Sequence, residues 1–167
     1  MEITTEQIKD LRKESGSGVM DCRNALKQSN GDKAGALKIL QELGLVKAQK
    51  TAGRTAKQGL IVSYIHAGGR IGALVEVNCE TDFVARTSEF KELSHNIAMQ
   101  VAAMDPQFTS KEECPTGVEI DFQSACLLLQ PYIKDATRTI QDLMAELIAK
   151  TGENIKIGRF ARYELGK

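Results

Sequence analysis

Cys79, with His66 or His95 as a base, is the pairing in this chain that could make a thiolate nucleophile. Nothing local supports it. An enzyme built on it would need a buried Cys79 with a shifted pKa. The four cysteines, Cys22, Cys79, Cys114 and Cys126, are scattered without a C-x-x-C pair, which argues against a structural zinc site. They read as free thiols, because two disulfides would need an oxidising compartment and the start Met1-Glu-Ile-Thr-Thr-Glu has neither the basic end nor the apolar run of an export signal. Ser15-Gly-Ser-Gly18 is no phosphate loop, since no lysine follows at Walker spacing and a helical pattern precedes it. Gly68-Gly-Arg-Ile-Gly72 lies between two strand patterns and fails the dinucleotide fingerprint for similar reasons. There is no G-x-S-x-G elbow and no H-E-x-x-H helix. Covalent chemistry is the weaker expectation, and no cofactor or metal is implied.

Recognition is the stronger one. In Glu76-Val-Asn-Cys-Glu-Thr-Asp-Phe-Val-Ala-Arg86 an apolar strand ends in a polar turn that carries one large aromatic, Phe83. Such a turn lies on the surface, where a Phe needs either a partner or a pocket of its own. Two readings stand together. Phe83 plugs the end of this chain's own core, with Asp82 or Thr81 capping the next helix, or it is a side chain meant for a partner. Val19 and Met20, beside the glycine-rich turn, pose the same choice between core filling and an exposed apolar patch.

The elements that position these residues fall into two groups. Thr4 or Thr5 caps a first helix with Ile8 and Leu11 on one face, which Ser15-Gly-Ser-Gly18 stops. A second helix starts at Val19 and turns Cys22, Ala25 and Leu26 inward. Ser29-Asn-Gly-Asp32 recaps the chain, and Ala36, Leu37 and Leu40 form the inner face of a third helix that Gly44 closes. Residues 1–45 thus form a three-helix module. Residues 46–58, basic and free of acids through Lys47 to Lys57, read as a linker; RNA contact there lacks the interleaved aromatics of a stacking surface.

Residues 59–167 read as a core domain. Leu60–Ile65 and Ile71–Val77 flank Ala67-Gly-Gly-Arg70 as a hairpin. A helix with Phe90, Leu93, Ile97, Val101 and Met104 inward runs to Asp105-Pro106. A second helix spans Thr137 to Lys150, and Ile155 to Leu165 alternates as a third strand with Gly158 as a bulge. The expected fold class is α+β, a helical module followed by a two-layer core of antiparallel strands packed on helices. Pro106 to Gln130 is brief and polar, with its order left open.

Lys plus Arg equals Asp plus Glu at 22 each, so the chain lacks the charge excess that drives general binding to nucleic acid or anionic membranes. A protein partner fits better. No run is apolar enough to span a bilayer, which points to a cytosol-like compartment.

Asn78-Cys-Glu-Thr-Asp-Phe-Val-Ala-Arg86, together with Leu11-Arg-Lys-Glu-Ser-Gly-Ser-Gly-Val-Met-Asp-Cys-Arg-Asn-Ala-Leu26, resembles the two signature stretches of bacterial and organellar translation elongation factor Ts. The likeness continues through Gly44–Lys50, Ile97–Ala103, Leu129–Asp135 and Lys150–Phe160, and weakens between Pro106 and Ser124. The resemblance implies a UBA-like N-terminal module and a dimerisation-type core. It implies a guanine nucleotide exchange factor that catalyses no bond change. Its partner would be the GTPase elongation factor Tu loaded with GDP. Thr81, Asp82, Phe83 and Val84 would enter the GTPase and displace its Mg²⁺, while Arg12, Val19 and Met20 grip it; Val19 stands where the family more often has Met. The alternative is a helical protein- or RNA-binding module on an α+β carrier. The chain is also short for the family, so two copies pair to present a full surface or one suffices; the sequence is compatible with both, and with a bacterial cytoplasm or an organelle lumen.

Overall fold

The Gln7 amide donates to Thr4 Oγ1 at 3.2 Å and the Thr4 amide to Gln7 Oε1 at 2.9 Å, so the first helix opens on a capping box. That helix, α1 (Thr5–Ser15), belongs to a computed structural model that describes residues 3–117 and 119–167. Met1 and Glu2 of the expected N-terminal module, and Val118 of the polar stretch, lie outside the described residues. Gly16 closes α1 at φ 63°, a left-handed cap that a side chain would strain. α2 (Val19–Gln28) and α3 (Lys33–Thr51) follow, and Leu11, Cys22, Ala25, Leu26, Ala36 and Leu40 meet in a core of their own.

The third helix does not end at Gly44. It runs 19 residues, through the middle of the basic stretch that reads as a linker. The reason is packing. Gly44 is buried where α3 crosses α7 (Ile140–Thr151), and a Cβ placed on it would stand 3.3 Å from the Ala145 carbonyl oxygen. Here the missing side chain permits close helix approach rather than a turn, and tertiary contact overrides the propensity of Gly to stop a helix. Gly44→Leu is expected to force the helices apart at about 1–3 kcal/mol. Thermal denaturation should show the melting temperature falling by roughly 2–10 °C.

β1 (Gln58–Ile65) and β2 (Ile71–Cys79) form the expected hairpin, with Gly68 and Gly69 both at positive φ in its loop. β5 (Lys156–Glu164) pairs antiparallel with the other edge of β2, giving the order β1-β2-β5. Glu76 opposes Arg159 and Val77 opposes Ile157, so Gly158 is the extra residue of a bulge. One face of the sheet is covered. Ala73, Val75, Val77 and Cys79 point from β2 into a core with Phe90, Leu93, Ile97 and Val101 of α5 (Ser88–Met104) and Ile140, Met144, Leu147 and Ile148 of α7. Met104, expected inward with them, is exposed at the last turn of α5. The other face is open and shows Ile61, Ile65, Leu74 and Tyr163.

α4 (Asp82–Ala85) is the single turn after β2, and between α5 and α7 the chain makes short elements that the sequence pattern conceals. α6 (Phe122–Ala125) is one turn, and β3 (Pro131–Tyr132) pairs with β4 (Asp135–Thr139). The expected helix start at Thr137 therefore moves to Ile140, because Thr139 caps α7 through a box with Asp142. Two buried amides organise this region. Gln100 Nε2 donates to Gln130 Oε1 (3.2 Å) and to the Pro131 carbonyl (3.0 Å), and Gln130 Nε2 donates to the Ser124 carbonyl (2.6 Å). All four cysteines are unbridged, and Cys114 and Cys126 touch at 3.4 Å. Burial first, and then Cys114, pushes the Cys126 thiol up to about 11. Among the described residues no helix is long and apolar enough to cross a membrane.

Candidate functional site

β2 ends at Cys79 and α4 begins at Asp82, so Thr81 has a single role to fill between them, that of N-cap. Its hydroxyl oxygen accepts from the Val84 amide at 3.4 Å. Successive helical residues point about 100° apart, so one turn can bury some side chains and expose the next. Val84 packs against the main core and Ala85 is buried, whereas Phe83 is 78% exposed. Asp82 also faces out and pairs with Arg86 one turn later at 2.8 Å. The core-plug reading of Phe83 has no support in this geometry. The four residues divide: Thr81 holds the turn, Val84 anchors it, and Asp82 and Phe83 are presented.

The turn is clasped from the far end of the sequence. Glu153 Oε2 accepts from the Glu80 amide (3.1 Å) and the Thr81 amide (3.0 Å), and Glu153 Oε1 accepts from the Thr81 hydroxyl (2.6 Å). Next to it the Asn154 amide donates to Glu80 Oε1 at 2.6 Å. Asn154 Nδ2 then reaches the carbonyls of Ala52 (3.2 Å) and Arg54 (2.7 Å), just beyond α3. Sequence reasoning missed Glu153 and Asn154. Lys150-Thr-Gly-Glu-Asn-Ile155 carries a legible helix stop in Gly152, but nothing in it says which amides, 72 and 73 residues away in the chain, its carboxylate will face.

Cys79 is no nucleophile here. It is buried, its Sγ donates to the Thr81 carbonyl at 3.1 Å, and burial followed by the Glu153 charge raises its pKa. That is the wrong direction for a thiolate. The bases are elsewhere. In the hairpin register Cys79 pairs with Gln58, while His66 follows Ile65 at the opposite end, and the His95 ring packs edge-on against Tyr64 at 5.6 Å, whose partner is Ala73. A cleft of about 510 Å³ between the helical module and the β4–α7 segment includes neither Phe83 nor Cys79 in its lining.

The second group of expected site residues surrounds the turn between α1 and α2. Arg12 is exposed in the last turn of α1, and Val19 and Met20, 49% and 58% exposed, form the first turn of α2. Their inner neighbours Cys22, Ala25 and Leu26 fill the module's core, so Val19 and Met20 are left as an apolar patch. Asp21 pairs with Lys47 at 2.7 Å, which fixes this turn of α2 against α3. The basic stretch is partly spent in such contacts. Besides Lys47, Arg54 Nη1 donates to the Gly152 carbonyl at 3.0 Å and lies 3.6 Å from Glu80. Two of its cations thus serve the fold.

A family model described as "Elongation factor TS" matches residues 7–122. The chain is 47% identical to elongation factor Ts of Thermotoga maritima over 195 aligned positions, covering all of this chain and 98% of that protein. It is 46% identical to elongation factor Ts of Syntrophomonas wolfei, covering 99% of this chain and 91% of the relative. With the protein of the same description in Fervidobacterium nodosum the identity is 44%, with all of both chains covered. The 195 aligned positions exceed the 167 residues of this chain, so the Thermotoga relative carries residues with no counterpart here.

Proposed function

We infer the function from the premise that this chain belongs to the elongation factor Ts family: it is a guanine nucleotide exchange factor for elongation factor Tu. It binds the GTPase with GDP and promotes release of the nucleotide so that GTP can bind. The reading is supported above all by Phe83, an aromatic held outward on a capped and clasped turn. In this reading residues 1–45 grip the partner through Arg12, Val19 and Met20, residues 46–58 connect, and residues 59–167 carry the wedge. Thr81, Asp82, Phe83 and Val84 form the segment that enters the GTPase, with Asp82 and Phe83 making the contact and Thr81 and Val84 supporting them. The activity belongs in the compartment of translation, a cytoplasm or organelle lumen.

No bond changes in this work. The exchange factor and the nucleotide favour different arrangements of one GTPase, so each weakens the other's hold by the same free energy. A ten-thousand-fold shift needs about 5.5 kcal/mol of differential binding. Burying one Phe supplies about 1.5–3 kcal/mol, so the wedge needs the grip of the helical module to be driven home. Displacing the Mg²⁺ of the GTPase removes a large positive charge from the diphosphate, which loosens GDP. The test is release of fluorescent GDP from purified elongation factor Tu with and without this chain. Acceleration is expected, and a folded chain that leaves release unchanged would refute the reading.

The open sheet face favours a second copy of this chain as a further partner. Ile61, Ile65, Leu74 and Tyr163 form an apolar centre, and Arg159 pairs with Glu76 at 2.9 Å beside it, so both signs of charge lie on one surface. A two-fold axis passing between the two residues can set each charge against its opposite on the second copy. Sedimentation should show a dimer at micromolar concentration, and Leu74→Glu should shift it to monomer with unchanged secondary structure. A monomer throughout the concentration range would end this part of the proposal.

A further inference from the structure

We propose that Glu153 is the positioning residue of the Phe83 wedge, a role that rests on the exchange reading above and extends it to a residue outside the turn. One carboxylate accepts three hydrogen bonds, from the amides of Glu80 and Thr81 and from the Thr81 hydroxyl. The third bond matters most for direction. A threonine hydroxyl has one hydrogen, and Glu153 takes it, so the lone pairs of Thr81 Oγ1 are left for the Val84 amide that starts α4. Without the carboxylate the hydroxyl is free to rotate and two backbone amides lose their acceptor together. A four-residue helix cannot hold itself, because a single turn is dominated by its nucleation cost. The direction of Phe83 is therefore set from outside α4, by Glu153 on one side and by the packing of Val84 and Ala85 on the other.

Glu153 is itself held. Gly152 caps α7 at φ 71°, and the neighbouring Asn154 bonds both Glu80 and the two carbonyls after α3. The clasp thus joins the wedge to the end of the helix that originates in the gripping module. Glu153 touches no partner in this scheme and acts only through Glu80 and Thr81.

Glu153→Ala is compared with Glu153→Gln, whose amide oxygen can accept the two backbone amides while its NH₂ donates to Thr81 Oγ1. Hydrogen exchange should show the Glu80, Thr81 and Val84 amides deprotected by at least roughly tenfold in the alanine variant, with protection of the Glu80 and Thr81 amides restored in the glutamine variant. GDP release driven by the alanine variant should fall by about tenfold, as expected when a contact group is misplaced by an ångström or less. Association measured at the same time should change little, since Arg12, Val19 and Met20 are untouched. In the Phe83→Ala background the substitution should slow release by less than it does alone, leaving only the share that Asp82 carries. Additive losses in that double variant, or retained amide protection in Glu153→Ala, would overturn the positioning role while leaving the wedge intact. A Phe83→Ala protein as fast as the parent would sink the wedge reading and this role with it. Should the alanine variant not fold, Glu153→Asp carries the comparison, since it keeps the charge and falls one methylene short of the turn.

Discussion

Replacing Phe83 with alanine is expected to slow the assisted release of fluorescent GDP from elongation factor Tu by about ten- to a hundred-fold, the rate equivalent of the roughly 1.5–3 kcal/mol that a buried Phe contributes. The same substitution should leave the melting temperature within about 2 °C of the parent, because a surface change away from caps and cores stays within about 0.5 kcal/mol. The two readouts separate the two sequence-level readings of this residue. A core plug loses stability when truncated; a wedge loses function. The 78% exposure of Phe83 and the inward packing of its neighbours Val84 and Ala85 favour the second outcome. A melting temperature lower by many degrees, with release slowed only in proportion to the unfolded fraction, would restore the core plug.

The second large effect is expected at the other contact. Val19→Asp and Met20→Asp should each weaken association with the GTPase by about ten- to a hundred-fold, at about 1.4–3 kcal/mol for a charge placed in an apolar contact. Once complex is formed at saturating concentration, release of GDP should be close to that of the parent. The expectation follows from the proposed division of labour, in which the patch on α2 holds and the turn before α5 acts. Both positions are exposed in the free chain, so neither aspartate should disturb the module's own core of Leu11, Cys22, Leu26 and Leu40. Titration that finds unchanged affinity for both variants removes these residues from the interface.

Much of this arrangement is legible in the residues because the information is local. A strand rich in branched apolar residues from Ile71 to Val77, a capping Thr81, a glycine-marked hairpin loop and the helical spacing from Phe90 to Val101 each rest on neighbours a few positions apart. The bulge at Gly158 is readable for the same reason. What escapes is non-local. Gly44 carries the signature of a helix end, yet the backbone of Ala145 a hundred residues later turns it into a helix crossing. Met104 keeps the spacing of an inward residue but is exposed at the last residue of α5. Gln100 and Gln130 look like surface amides until they are seen to satisfy each other in the interior, and Glu153 looks like a loop carboxylate until Thr81 is folded against it.

The continuity of α3 past Gly44 changes what kind of binder this is. A flexible tether of 13 residues, the span from 46 to 58, would let the second contact wander over about 20 Å and supply an effective concentration in the millimolar range, indifferent to fine geometry. The chain instead has a rod of 19 residues, about 28 Å long, that is pinned to Ala145 along its side and held by Asn154 just past its end. Little conformational freedom is left to lose when the second contact forms, so the second contact gains from preorganisation rather than from mere proximity. A rod is also less forgiving than a tether. It acts as a gauge, rewarding a GTPase whose two receiving surfaces stand at the matching separation and giving nothing to one whose surfaces are spaced differently.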